Sequence, residues 1–181
     1  MDQSSKLSVY LRALDVSDLE RVHAWHNDWG LYEHLGGGFR WISLAAEDEW
    51  LRRRCTYSAN EINLAICLSD THEHIGNVYL RDIDWVARHA ELHIFIGLPA
   101  HRGHGYGEAA MRRVLAHAFL DLGLQRLFLF VLVSNEPAVR LYRNCGFVQE
   151  GRLREHALKR GQPMDMLIMG ILASEWKAND R

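Results

Sequence analysis

The chain has 181 residues, 48% hydrophobic and 24% charged, with 21 Lys and Arg against 23 Asp and Glu and a formal net charge of −2. That length suits one domain with a substantial core, and the charge balance excludes the global basic field that recruits nucleic acid. Cys55, Cys67 and Cys145 form no metal-binding spacing and cannot all pair with one another; with no signal sequence at the start, they point to a reducing cytoplasm and to a chain without a metal.

Leu7 to Arg12 reads as an opening strand, and Ser17-Asp18-Leu19-Glu20 as a capping box that starts a helix running to about His26. Gly36-Gly37-Gly38 breaks the chain before a second helix over Leu44 to Arg54, whose Arg52-Arg53-Arg54 run belongs on a solvated face. Asn63 to Leu68, Ile75 to Arg81 and His89 to Leu98 follow as strands, the first two joined by the polar turn Ser69-Asp70-Thr71. A long helix from Gly105 to Leu122 comes next, with Met111, Val114, Leu115, Ala118, Phe119 and Leu122 at helical spacing and Gly123 as its stop. Leu127 to Val133 is apolar on both faces, as a strand covered by helices should be, and is far too short to span a membrane. Asn135 caps a short helix with Pro137 in its first turn. Phe147 to Glu155 and Met164 to Leu172 close the chain as strands around a Gly161-Gln162 turn, offering an edge for pairing into a homodimer. Met1 to Ser5 and Lys177 to Arg181 read as loose ends. The sum is a single α+β domain over 1–181, a mixed sheet with helices on both faces.

Arg102-Gly103-His104-Gly105-Tyr106-Gly107 stands between a strand and the long helix. Its glycines let backbone N–H groups converge at a helix N-terminus, where the helix dipole adds to them and Arg102 brings a fixed charge. A phosphate or pyrophosphate is the expected guest. The glycines run G-x-G-x-G rather than G-x-G-x-x-G, and the chain contains no Gly-Lys pair, so neither a dinucleotide fingerprint nor a nucleotide-hydrolase phosphate loop fits. For the glycines alone, a helix start that binds nothing is a fair alternative.

The segment Ser134 to Phe147 adds a second constellation, with Tyr142 seven residues beyond Asn135 so that both can face one groove. Together the two segments resemble the GNAT superfamily of acyl-CoA-dependent N-acetyltransferases. Arg102, Gly105 and Gly107 match its [RQ]-x-x-G-x-[GA] turn; Asn135, Ala138, Leu141, Tyr142, Gly146 and Phe147 match its N-x-x-A-x-x-L-Y-x-x-x-G-F segment. His104 stands where Lys is frequent, and Asn144-Cys145 replaces a basic and apolar pair. The resemblance covers essentially the whole chain and implies a mainly antiparallel sheet with a splayed central strand pair. It implies acetyl-CoA as acetyl donor, with backbone groups of Phe95, Ile96 and Gly97 on the pantetheine arm, Arg102, Gly103, His104, Gly105, Tyr106 and Gly107 on the pyrophosphate, and Asn135 near the thioester. Tyr142 is then the general acid for the leaving thiolate.

The attacking amine must lose a proton first. His89, Glu91 and His93 alternate and share one strand face unless a bulge intervenes. Glu91 is the first candidate base, on the strength of the Glu that related acetyltransferases carry there, with His93 second. The acceptor is expected among Trp25, Asn27, Glu33 and Trp41, with His93; aromatic and carboxylate groups suit a cationic amine, while tryptophans at helical spacing equally serve as core. The branch resembled contains polyamine and amino-sugar acetyltransferases, so a small primary amine is the first acceptor. A protein N-terminal acetyltransferase of the ribosomal-protein kind and a non-catalytic acyl-CoA sensor are the alternatives.

Overall fold

A computed structural model describes residues 8–176; Leu7 and the two expected loose ends lie outside them. Seven strands form one sheet in the order β1-β2-β3-β4-β5-β7-β6. They are β1 (Val9–Ala13), β2 (Ile62–Leu68), β3 (His74–Asp84), β4 (His89–Ile96), β5 (Arg126–Leu132), β6 (Val148–Lys159) and β7 (Gln162–Leu172). The helices are α1 (Leu19–His26), α2 (Trp29–Tyr32), α3 (Leu44–Arg54), α4 (Tyr106–Ala116) and α5 (Glu136–Asn144). Among the described residues no helix is long and apolar enough to cross a membrane.

The alternation of β2 shows why helices cover both faces. Ile66 joins Ala110, Met111, Val114 and Leu115 of α4 in the main core, while Ala65 and Cys67 on the other face pack with Leu51 of α3. Met111, Val114 and Leu115 are at most 1% exposed, and each such side chain stabilises the fold by about 1.5–3 kcal/mol. Beyond Ala116 the long helix widens into a π turn over His117–Asp121, and Gly123 ends it in the left-handed region at φ 65°.

All neighbouring strands run antiparallel except β4 and β5, which are parallel and pair only at His89–Arg126, Ala90–Leu127 and Glu91–Phe128. Beyond Glu91 the two strands diverge, and the ladder positions facing the gap lose their partners. This is the splayed central pair.

Several local expectations shift. The capping box exists two residues earlier: Asp15 accepts from Ser17 N–H at 2.9 Å and Asp18 accepts from Asp15 N–H at 2.9 Å, opening a 3-10 turn ahead of α1. The short α2, capped by Asp28 on Gly30 N–H at 2.8 Å, was not foreseen. β5 buries Leu127, Leu129 and Val131 in the main core, while its other face carries half-buried Phe128 and Phe130 and ends in Leu132, buried with Ala157 and Met166 in a smaller cluster. The last hairpin turns at Arg160-Gly161, both at positive φ (50° and 77°), and β6 carries bulges between Gln149 and Gly151 and between Leu153 and Ala157.

Candidate active site

A cavity of about 1490 Å³ follows the gap between β4 and β5. One end meets the start of α4. Gly105 there is the N-cap residue at φ 84°, a conformation glycine adopts freely. No side chain caps this helix, so its first-turn N–H groups are left to a ligand. Gly107 has a second duty: a Cβ there would stand 3.1 Å from Leu141 Cδ1, so its bareness lets α4 approach α5.

Arg102 spends two of its donors within the fold. Its Nε donates to Ile96 O at 2.9 Å and its Nη2 to Gly97 O at 2.9 Å, bracing the end of β4 against the turn. Nη1 has no partner among the described residues. Gly97 N–H donates to Ile75 O at 2.8 Å, so both backbone groups of Gly97 are engaged within the fold. Asn135 is likewise committed: its Oδ1 accepts from Ala138 N–H at 3.3 Å and its Nδ2 donates to His34 O at 3.0 Å. Of the residues expected on the donor, Phe95, Ile96, Arg102, Gly103, Gly105, Gly107 and Asn135 line the cavity; Gly97, His104 and Tyr106 do not.

Tyr142, Glu91 and His93 also line the cavity. Tyr142 is 8% exposed and packs on Phe147 with ring centroids 5.9 Å apart. Burial, with a smaller contribution from Cys145, pushes its hydroxyl pKa well up, so it holds its proton throughout the neutral range. Glu91 Oε1 lies 3.1 Å from His93 Nε2. The neighbouring bulge falls on β3, between Arg81 and Asp84, so Glu91 and His93 keep a common face. His89 packs on Phe128 instead, at 5.9 Å, and does not line the cavity.

On this face the cavity continues between the sheet and the first helices, where His26, Tyr32, Glu47, Trp50, Tyr79 and Arg81 form the wall. Glu47, in the first turn of α3, is 1% exposed and accepts from His26 Nδ1 at 2.9 Å through both oxygens. The Arg81 guanidinium lies 4.9 Å over the Tyr79 ring, and its residue sits directly across from Glu91. A buried chain of hydrogen bonds stands behind Tyr79: its hydroxyl accepts from Asn77 Nδ2 (2.8 Å), Asn77 Oδ1 faces His74 Nε2 (2.7 Å), and His74 Nδ1 faces Asp18 Oδ1 (3.0 Å). Arg12 closes the chain with a bidentate grip on Asp18 at 2.7 and 2.8 Å.

Of the expected acceptor residues, His93 alone lines the cavity. Trp25 is 4% exposed, with its indole edge-on to His74 and Phe95, and belongs to the core. Asn27 staples α1 to the segment before α3, donating to His23 O and Ile42 O and accepting from Ile42 N–H. Glu33 is exposed outside the cavity, and Trp41 is 80% exposed beside Phe39. The sequence reading left Glu47, Trp50, Tyr79 and Arg81 unassigned; a carboxylate amid the apolar positions of an amphipathic helix was the one visible signal, at Glu47.

The fold thus brings together a sheet opened between parallel neighbours, a helix N-terminus with no side-chain cap and a buried tyrosine, all on one cavity. Residues 8–148 match the family model described as Acetyltransferase (GNAT) domain. The spermidine N(1)-acetyltransferase of Vibrio cholerae is 32% identical over 92% of this chain and 94% of its own. That of Escherichia coli is 33% identical over 60% of this chain and 58% of its own. A putative ribosomal N-acetyltransferase of Bacillus subtilis is 30% identical over 56% and 55%. The crystal structure of the Vibrio cholerae spermidine N-acetyltransferase in complex with CoA and spermine superposes with a TM-score of 0.86 at 31% identity, covering 92% of this chain and 96% of that one. The chain belongs to the GNAT family and is an acetyl-CoA-dependent N-acetyltransferase.

Proposed function

We propose that this protein acetylates a primary amine of a small polyamine-type acceptor by direct attack on the thioester, with Tyr142 as general acid and Glu91, supported by His93, as the base. The observation that carries the reading is that all three side chains line the one cavity that follows the opening between β4 and β5. The spermidine acetyltransferases among the relatives support the acceptor class.

The bare start of α4 and the Arg102 Nη1 suit the donor's pyrophosphate, and the edge of β4 that β5 leaves unpaired beyond Glu91 suits its amide arm. An alkylammonium has a pKa of about 10.4, so roughly one molecule in 10³ is free amine at pH 7, a cost of about 4–5 kcal/mol. Glu91 relieves it by taking one ammonium proton, directly or through water, before the free amine attacks the acetyl carbonyl carbon; the second nitrogen proton leaves the tetrahedral intermediate to solvent. When the tetrahedral intermediate collapses, the C–S bond breaks and the Tyr142 hydroxyl gives its proton to the departing sulfur. The amide product and free thiol leave, and Tyr142 recovers a proton from solvent.

A thiol-release assay with acetyl-CoA against polyamines, amino sugars, aminoglycosides and short peptides tests the reading. Turnover is expected on polyamines and not on peptides. Turnover confined to peptide N-termini would replace it with the ribosomal-protein type, and donor binding without turnover on any amine would make the protein a sensor.

A further inference from the structure

We infer that the His26–Glu47 pair is a second recognition point for the acceptor: it binds a nitrogen distant from the one acetylated, and so selects acceptors carrying two or more amino groups. The inference rests on the polyamine reading above and adds to it the residues that would read the second charge.

A carboxylate as deeply buried as Glu47 is costly unless it is satisfied, and two contacts from one imidazole nitrogen are its hydrogen bonds among the described residues. Its place in the first turn of α3 adds the helix dipole. With Nδ1–H donated to Glu47, a neutral imidazole at His26 presents its lone pair on Nε2. Nε2 takes no hydrogen bond among the described residues, yet it is not among the buried unpartnered atoms, which are Trp29 Nε1, Asn63 Oδ1 and His89 Nδ1. His26 lines the cavity, so Nε2 is an acceptor open to it, with a buried negative charge directly behind.

The surroundings suit an alkylammonium. Trp50 stands edge-on to His26 with centroids 5.0 Å apart and Tyr32 at 6.4 Å, and Trp50 in turn meets Tyr79 at 6.5 Å. Tyr79 is the cross-strand neighbour of His93, whose ring pairs with Glu91. One imidazole–carboxylate pair therefore stands at the opening between β4 and β5 and another at the far side of an aromatic strip. Methylenes can lie along that strip with a nitrogen at each end, the far ammonium donating to His26 Nε2 and lying against the indole.

The test compares kcat/KM for an α,ω-diamine with that for the monoamine of equal chain length. Glu47→Gln keeps shape and an oxygen for Nδ1–H but removes the charge, and His26→Phe keeps a ring without the acceptor; thermal unfolding checks that both are folded. A charge-assisted hydrogen bond contributes about 1.5–3 kcal/mol, so the diamine-to-monoamine ratio should fall by about 10- to 100-fold in each variant. An unchanged ratio in folded variants, even with both rates lowered together, would reduce the pair to a brace between α1 and α3 and overturn the inference while leaving the polyamine reading intact. Parent enzyme that acetylates other amines but no diamine or polyamine would overturn that reading, and the inference with it.

Discussion

Gly97→Ala should destabilise the fold far more than so small a change usually does. A Cβ at Gly97 would fall within the van der Waals envelope of the Trp25 indole, overlapping Nε1, Cδ2 and Cε2. The indole has little room to retreat: it is 4% exposed and held edge-on by His74 at 4.8 Å and Phe95 at 5.7 Å. Nor can the backbone shift freely, because the Gly97 N–H and carbonyl are bonded to Ile75 O and Arg102 Nη2. Overpacking of this kind costs about 1–3 kcal/mol and occasionally more. The constraints put the site at the upper end, about 3 kcal/mol, which for a domain of this size lowers Tm by roughly 6–12 °C at about 2–4 °C per kcal/mol. Thermal unfolding by circular dichroism measures it. Gly37→Ala is the control, since a Cβ there meets nothing within 4 Å, and it should leave Tm nearly unchanged. A Gly97→Ala protein that melts with the parent would refute the claim that Trp25 packs on bare backbone at the end of β4.

Gly105→Val places a β-branched residue at φ 84°, beside the proposed pyrophosphate seat; coenzyme A affinity by isothermal titration should fall at least about tenfold, and equal affinity in a folded variant would move the donor elsewhere. Glu91→Gln should depress the rate most near neutral pH and recover as pH approaches the amine pKa of about 10.4; an equal loss at every pH would indicate positioning rather than proton transfer. Burial alone would raise the Asp18 carboxyl pKa, but hydrogen bonds from Arg12, His74 and the Asp15 N–H outweigh it and hold the carboxyl far below the usual range. A group depressed in the folded state contributes stability that is fully present above its unfolded pKa of about 3.9 and is lost as pH falls toward the folded value. Acid unfolding followed by fluorescence should therefore have a shallower acid limb in Asp18→Asn, and an unaltered limb would place the sensitivity in other carboxylates.

Much of the fold was legible because its signals are local. The second helix starts and ends at Leu44 and Arg54, as expected after the glycine break, and the glycine turn and the Asn135 cap fall where the spacing puts them. Less legible was anything set by long-range packing. Helical spacing places Trp25 on a face but cannot say whether that face meets a cavity or the bare backbone of Gly97. An arginine beside a glycine turn announces charge, not direction, and Arg102 spends two donors on the carbonyls of Ile96 and Gly97. The polar stretch of β6 hid its length because the bulges before Gly151 and Ala157 break the period-two pattern. The wall of Glu47, Trp50, Tyr79 and Arg81 comes from a helix and a strand that meet only in the folded chain, so beyond the carboxylate at Glu47 no spacing could announce it.

The central claim is acetyl transfer to an amine in the gap between β4 and β5, with Tyr142 returning a proton to the thiolate. Its most direct test is single-turnover and steady-state kinetics of Tyr142→Phe with acetyl-CoA and a polyamine, alongside titration of coenzyme A binding. Removing the hydroxyl leaves the ring packed on Phe147 and removes the proton donor alone. The account predicts a kcat lower by about 10²–10⁴-fold with coenzyme A affinity unchanged, and a kcat equal to the parent's would contradict it.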